Sequence, residues 1–287
     1  MKQSFNTLPK LLTVLLFTGS ILSLTFSNIS LAAEITKGQK TSQHTEHQAH
    51  WGYEEDNGPS RWGELNPDWV LCAEGDQQSP IDFTGARRER LDEMKLRFPS
   101  ANLTIVHQTH VFDLIDNGHT IQINYDKGET LTISDESYEL RQYHFHSPSE
   151  HTVNGRHYPM EMHLVHSSKD NKLAVIGVFI VEGQHNVAFE TIWSNLPEKT
   201  GQEVHLENVR VDIDDMLPKD KATYRYYGSL TTPPCSEGVR WFVFVEPIQM
   251  SIKQIEAFRR IFHGNNRPTQ PLNNRVLLVD DLTETIK

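Results

Sequence analysis

Thiols are scarce in this chain of 287 residues: Cys72 and Cys235 are the only cysteines. A structural metal cage of three or four thiolates is therefore excluded, and at most one internal disulfide can form. Positive charge is also short. The 27 Lys and Arg residues face 38 Asp and Glu, for a formal net charge of −11, which argues against nucleic acid or an anionic lipid surface as partner. No apolar run is long and unbroken enough for a retained membrane anchor. The best, Leu11 to about Phe26, is interrupted by Thr13, Gly19 and Ser20. It follows Lys2 and Lys10 and precedes Ser30-Leu31-Ala32-Ala33, the order of a secretory signal. We read residues 1–32 as a signal peptide, which leaves no stable membrane anchor after cleavage and an exported product, periplasmic or extracellular. Removing Lys2 and Lys10 with it takes the net charge from −11 to −13.

Residues 33–50 are polar, with His44, His47 and His50 and almost nothing to bury, and read as a flexible leader. Residues 51–287 contain no internal repeat or linker and suit one β-rich domain. In an oxidising compartment Cys72 and Cys235 read as a disulfide, with two buried thiols as the alternative.

The strand signals are strong. Alternating apolar residues run through Leu103-Ile105, Val111-Leu114-Ile115, Ile121-Ile123-Tyr125 and Leu131-Ile133, punctuated by Asp116-Asn117-Gly118 and Asp126-Lys127-Gly128, which predicts an antiparallel meander. Leu173 to Val181 and Val239 to Val245 are apolar on both faces and predict buried central strands. Helices are few. Ser251 to Phe262 has helical spacing and an S-x-x-Q capping box, and Val187 to Leu196 has a stripe of Phe189, Ile192, Trp193 and Leu196 ended by Pro197. The expected fold class is a β-dominated α/β single domain, with a large, twisted, mostly antiparallel central sheet and a few short peripheral helices.

Histidine carries the functional signal. In Gln142-Tyr143-His144-Phe145-His146, period two puts both histidines and Gln142 on one face and both aromatics on the other. After an Asn154-Gly155 turn, Met160 to Val165 sends Glu161, His163 and Val165 to one face. His144, His146 and His163 are thus candidate metal ligands, and Glu161 is the kind of carboxylate that orients a ligating imidazole. Three imidazoles without thiolate suit Zn²⁺ with its fourth position open, a catalytic arrangement; a satisfied core cluster is the alternative.

QYHFH, SEHTV, EMHLVH, YGSLTTPP and QPLNNR, in this order, resemble the α-class carbonic anhydrases from about Trp51 onward. The resemblance implies that family's fold, a Zn²⁺ cofactor, and reversible hydration of carbon dioxide to bicarbonate and a proton by zinc-bound hydroxide, chemistry for which carbonic anhydrase is the reference case. It also implies specific roles. Gln142, Glu161 and the backbone carbonyl of Asn274 would hold the ligands. Thr231 would aim the hydroxide, passing its own proton to Glu150. Val165, Val175, Leu230, Thr232, Val239 and Trp241 would form the substrate pocket. Tyr53, Asn117 and Gln122 would order water opposite, and His119, in an Asn-Gly-His element, would shuttle protons. Ser79-Pro80 would match a cis-proline site. His151, beside Glu150, reads as buried and hydrogen-bonded; His107, His110, His157, His166, His185, His205 and His263 show no partner pattern. The rival is a catalytically silent carbonic-anhydrase-like binding domain. Oligomeric state is not legible in the sequence.

Overall fold

The longest strand among the described residues, β6 (Glu136–His146), carries the histidine pair and organises the sheet around it. The computed structural model describes residues 50–97, 113–116, 118–124, 130–206 and 212–280. The signal, the leader before His50, the Leu103-Ile105 run, the Asp126-Lys127-Gly128 turn, Asn117, His107 and His110 lie outside the described residues. The other strands are β1 (Arg87–Glu89), β2 (Met94–Arg97), β3 (Asp113–Asp116), β4 (Ile121–Asn124), β5 (Thr130–Ile133), β7 (Thr152–Val153), β8 (Arg156–His157), β9 (Met160–Ser168) and β10 (Leu173–Glu182). They are followed by β11 (Glu203–His205), β12 (Thr223–Ser229), β13 (Glu237–Phe244), β14 (Ile248–Met250) and β15 (Leu278–Asp280). Thirteen of these form one sheet, in which β6, β9, β10, β13 and β12 lie side by side. Most pairs are antiparallel; β1 with β15, and β10 with β13 and β14, are parallel.

The two apolar runs are central strands, as their composition predicts. Both faces of β10 are buried because Ile176, Val178 and Ile180 enter one core cluster while Val175 and Phe179 enter the other. The first cluster lies under the helix Ile252–Arg259, whose Ile255 and Phe258 are fully buried. Ser251 accepts from Gln254 N–H in the expected capping box. The Val187 to Leu196 segment is a 3₁₀ turn, Val187–Phe189, running into a one-turn helix, Glu190–Trp193. Its Phe189 and Ile192 face the same core.

The expected meander is corrected in one respect. β3 and β4 form the predicted hairpin, but β4 does not pair with β5. Both instead lie along the same edge of β6, β5 against its first half and β4 against its second. An eleven-residue strand has room for two short partners end to end.

A further feature was not anticipated. The β6–β9 register slips between Leu140 and Gln142, a bulge at Arg141. Before the bulge Tyr138 and Leu140 enter the core; after it Tyr143 and Phe145 do. One extra residue reverses the phase of a period-two strand, so the bulge is what puts Gln142, His144 and His146 on the opposite face while the same core stays filled.

Candidate metal centre

Register assembles the site. Directly paired residues share a sheet face, so Gln122, His144, His163 and Gly177 form one row across β4, β6, β9 and β10. The adjacent row is Asn124, Gln142, Val165, Val175, Trp241 and Tyr226, and on the other side His146 pairs with Glu161. Gly177 matters here: a Cβ at this position would press on Glu161 Oε1 at 3.1 Å and on Val243 at 2.9 Å.

Each candidate ligand has one ring nitrogen held from behind. His144 Nδ1 is 2.8 Å from Gln142 Oε1, and His146 Nδ1 is 2.7 Å from the backbone carbonyl of Asn265. Both acceptors require a donor, so these nitrogens carry the protons and Nε2 is left bare on each ring. His163 is turned the other way. Its Nε2 lies 2.9 Å from Glu161 Oε1, in a contact bent away from hydrogen-bond geometry, which leaves Nδ1 for a ligand. The three rings contribute nitrogens within 4.8 Å of one another.

Burial, reinforced by the neighbouring imidazoles, holds His144 well below the usual histidine range, although part of its surface stays open. Burial likewise lowers His146, against the pull of Glu150. Neutral imidazole is the form that binds a metal. His146 Nε2 is buried without a hydrogen-bond partner, a cost that a bound cation would remove. The residues present therefore fit a Zn²⁺ ion.

A second convergence, His151, Glu161 and His163, also falls within 4.8 Å, but here the carboxylate sits between the imidazoles as their acceptor. Glu161 Oε2 accepts from the backbone N–H groups of Glu150 and His151, both at 2.9 Å, and Oε1 from His151 Nδ1 at 2.7 Å. Burial alone would raise the Glu161 carboxyl; the adjoining His151 and His163 rings hold it well below the usual carboxylate range. It sits behind His163 in the place on the strand where a carboxylate could orient that ring.

Asn274 is a correction. It is exposed, on the turn after Pro271, and the carbonyl behind His146 belongs to Asn265. The Asn265 side chain is buried and does more: Oδ1 accepts from Ser147 N–H at 2.8 Å, and Nδ2 donates to the His119 carbonyl at 3.0 Å and the Phe145 carbonyl at 2.9 Å. One residue thereby ties the end of β6 to the His119 turn. Two Asn-Asn pairs stand in this region, and local sequence does not say which carbonyl folds back.

Thr231 and Glu150 are both buried. The hydrogen bond expected between them is not made, because Glu150 Oε2 has no hydrogen-bond partner. Glu150 Oε1 is fixed by Arg267 N–H at 2.8 Å, and Oε2 faces His146 Nε2 at 3.5 Å and His163 Nδ1 at 3.9 Å. The free oxygen and the two bare ring nitrogens are all acceptors, so their convergence leaves a repulsion that a bound cation would relieve.

Val165, Val175, Leu230, Val239 and Trp241 meet in the second apolar cluster, beside the histidines, with Thr232 half-buried next to Thr231. Gln122, in the His144 row, donates to Asn124 at 2.7 Å. Tyr53 is close enough to Glu150 for that charge to reinforce burial in raising its hydroxyl well above the tyrosine range. His119 stacks on Trp51, with ring centroids 3.6 Å apart and planes 8° from parallel. Burial, then the nearby His50, lowers its pKa below the usual histidine value.

Cys72 and Cys235 are joined in a disulfide, and the Ser79–Pro80 bond is cis. Cys235 is four residues beyond Thr231, so the bridge anchors the loop that carries it. Arg267, missed in the sequence, braces the same corner: its buried guanidinium donates to Gln78 Oε1 and to the Ser79 and Cys72 carbonyls at 2.7–2.8 Å. No helix among the described residues is long and apolar enough to cross a membrane.

With that geometry in view, residues 57–280 match the family model for eukaryotic-type carbonic anhydrase. The chain belongs to the carbonic anhydrase family. It is 42% identical over 232 residues to a carbonic anhydrase of Pectobacterium carotovorum, covering 80% of this chain and 90% of that one. Its identity to a carbonic anhydrase of Nostoc sp. is 42% over 229 residues, with coverage of 79% and 85%. Among solved structures, the α-carbonic anhydrase of Thermovibrio ammonificans, in complex with the inhibitor sulfanilamide, superposes with a TM-score of 0.74 at 43% identity. That match covers 81% of this chain and 99% of that one. Dioscorin complexed with ascorbate is also similar, with a TM-score of 0.71 at 29% identity over 80% and 97% of the two chains. The large sheet and few short helices are those of a carbonic anhydrase, and the chain is an enzyme of that family.

Proposed function

We propose that this carbonic anhydrase is an exported, Zn²⁺-dependent enzyme that hydrates carbon dioxide reversibly to bicarbonate and a proton, with His144, His146 and His163 as the metal ligands. The observation that carries the reading is the convergence of three separately oriented imidazole nitrogens beside an apolar wall. When bound, Zn²⁺ supplies the Lewis acidity that makes water nucleophilic near neutral pH, an effect for which carbonic anhydrase is the reference case.

The protein's own residues do the rest. Gln142, Asn265 and Glu161 hold the three rings, fixing which nitrogen each presents. Thr231 orients the attacking water, and the open oxygen of Glu150 is the acceptor available for the threonine proton. Val165, Val175, Leu230, Val239 and Trp241 offer a small apolar substrate a surface without competing charge, with Thr232 at its edge. Tyr53 and Gln122, with Asn117, order water toward His119, which passes the proton to buffer. Export agrees with the disulfide, which an oxidising compartment permits, and with the secretory pattern of residues 1–32.

Dioscorin's likeness raises a silent binding domain as the second reading, since the fold alone does not decide chemistry. The intact triad and buried Glu150 and Thr231 favour catalysis. His163→Ala tests it: zinc affinity should fall by about 100-fold or more, beyond the 10–100-fold typical of losing a ligand's outer partner, and hydration should fall with it. Normal hydration by a metal-depleted sample of this variant would reject the assignment.

A further inference from the structure

We propose that Asn154 is a latent deamidation site, held unreacted because Asp82 ties up the backbone N–H of Gly155. The inference stands apart from the zinc reading above.

The chain has three Asn-Gly steps, at Asn57, Asn117 and Asn154. Such a step can react with itself. Hydroxide removes the proton from the glycine amide nitrogen, which then attacks the carbonyl carbon of the asparagine side chain. A C–N bond forms, and the carboxamide nitrogen takes up a proton from water and leaves as ammonia. Water opens the resulting succinimide at either carbonyl, to aspartate or to isoaspartate, whose backbone runs through the side chain and is longer by a methylene. Nothing is oxidised or reduced. Glycine favours the closure because it has no Cβ to crowd the attacking nitrogen.

Asn154 is where this chemistry meets solvent. Register pairs Thr152 with His157 and Val153 with Arg156, so Asn154 and Gly155 make up the whole turn between β7 and β8. Both have positive φ, 51° and 71°, as a tight hairpin turn requires, and both are exposed. Asn57 is the contrast. Its Gly58 is buried, and a Cβ there would collide with the Glu54 carbonyl oxygen, so packing already denies that backbone the movement ring closure needs. The exposed step needs another guard.

Asp82 supplies it. Its Oδ1 accepts from Gly155 N–H at 2.8 Å and from Thr152 Oγ1 at 2.6 Å, while Thr84 Oγ1 donates to Oδ2. The carboxylate is fixed from its own backbone, because Asp82 forms a β-bridge with Thr152 and Phe83 N–H donates to the Thr152 carbonyl at 2.9 Å. Burial would raise this carboxyl, but the bonds from Thr152, Thr84 and Gly155 outweigh it and hold it below the usual range. Two obstacles to the reaction follow. Hydroxide must first break a charge-assisted hydrogen bond, and the amide anion it would make lies against a negative charge that disfavours it. The hairpin joins Glu150 and His151 to Glu161 and His163 on β9, so a lengthened turn would disturb the chain between residues of the metal centre.

Ageing the full folded protein at mildly alkaline pH, followed by peptide mass spectrometry that separates aspartate from isoaspartate, reads each Asn-Gly step by itself. Wild-type Asn154 should react much more slowly in the folded protein than in the same chain unfolded in urea; equal rates would overturn the proposal. In Asp82→Ala the reaction at Asn154 should quicken about tenfold to a hundredfold, the factor for losing a hydrogen bond to a charged group, while Asn57 keeps its rate. Asp82→Asn keeps an acceptor without the charge and should fall between. A folded Asp82→Ala with the wild-type rate at Asn154 would refute the guard, and so would an equal acceleration at Asn57, the mark of general loosening. If Asp82→Ala does not fold, amide exchange in the wild type decides. Gly155 N–H should exchange slowly although its turn is exposed, and exchange at the rate of an unstructured amide would overturn the proposal.

Discussion

Acid should loosen the strand that carries His163, and the cause can be isolated at His166. This histidine is fully buried on β9, with Nδ1 2.9 Å from the Leu164 carbonyl. Burial pushes its pKa down to about 4, against the weaker pull of the Leu164 and Ala174 carbonyls. In the unfolded chain it titrates near 6.5, so between these values the unfolded state binds a proton that the folded state refuses. The associated stability is fully present above pH 6.5 and is lost as pH falls toward 4. At 1.36 kcal/mol per pKa unit the loss is about 3 kcal/mol. Carboxylates also titrate in this window, so the assay is a comparison: urea unfolding of wild type and His166→Gln at pH 7.5, 6, 5 and 4.5. Glutamine retains an N–H donor and cannot titrate. The wild type should lose about 2.5 kcal/mol more than the variant over that range, the remainder following below pH 4.5. Parallel stability curves would show that His166 is not kept neutral by the fold.

Two other perturbations reach the edges of the site. Reducing Cys72–Cys235 opens a closure spanning 163 positions, for which chain entropy sets a cost of about 5 kcal/mol as an upper figure. A lower denaturation midpoint with lower activity is expected, and unchanged stability after verified reduction would contradict it. His119→Ala should lower kcat in dilute buffer by on the order of tenfold or more while kcat/KM changes little, because proton removal follows hydration. Added imidazole should restore much of the loss, and an undiminished kcat would remove His119 from the proton path.

The legible parts of this protein were those with short-range periodicity. His144 and His146 share a face because strands alternate, Ser251 and Gln254 cap the Ile252–Arg259 helix because a capping box is local, and Leu173 to Val181 is central because both its faces are apolar. What remained hidden depends on distant backbone. The Arg141 bulge adds one residue without changing hydropathy, the end-to-end placement of β4 and β5 depends on the length of β6, and Asn265 approaches His146 across 119 positions. Arg267 reads as a surface cation until its three acceptors, Gln78, Ser79 and Cys72, are in place. Thr231 and Glu150 were recognisable only through resemblance, and that route misplaced the Asn265 role onto Asn274.

The most direct test of the central claim is zinc stoichiometry measured together with stopped-flow carbon dioxide hydration on the mature protein, before chelation, after it, and after zinc is restored. The account predicts one zinc per chain, hydration that disappears with the metal and returns with it, and neither property in His163→Ala. Full hydration by protein verified to be zinc-free, or one tightly held zinc with no hydration, would contradict it.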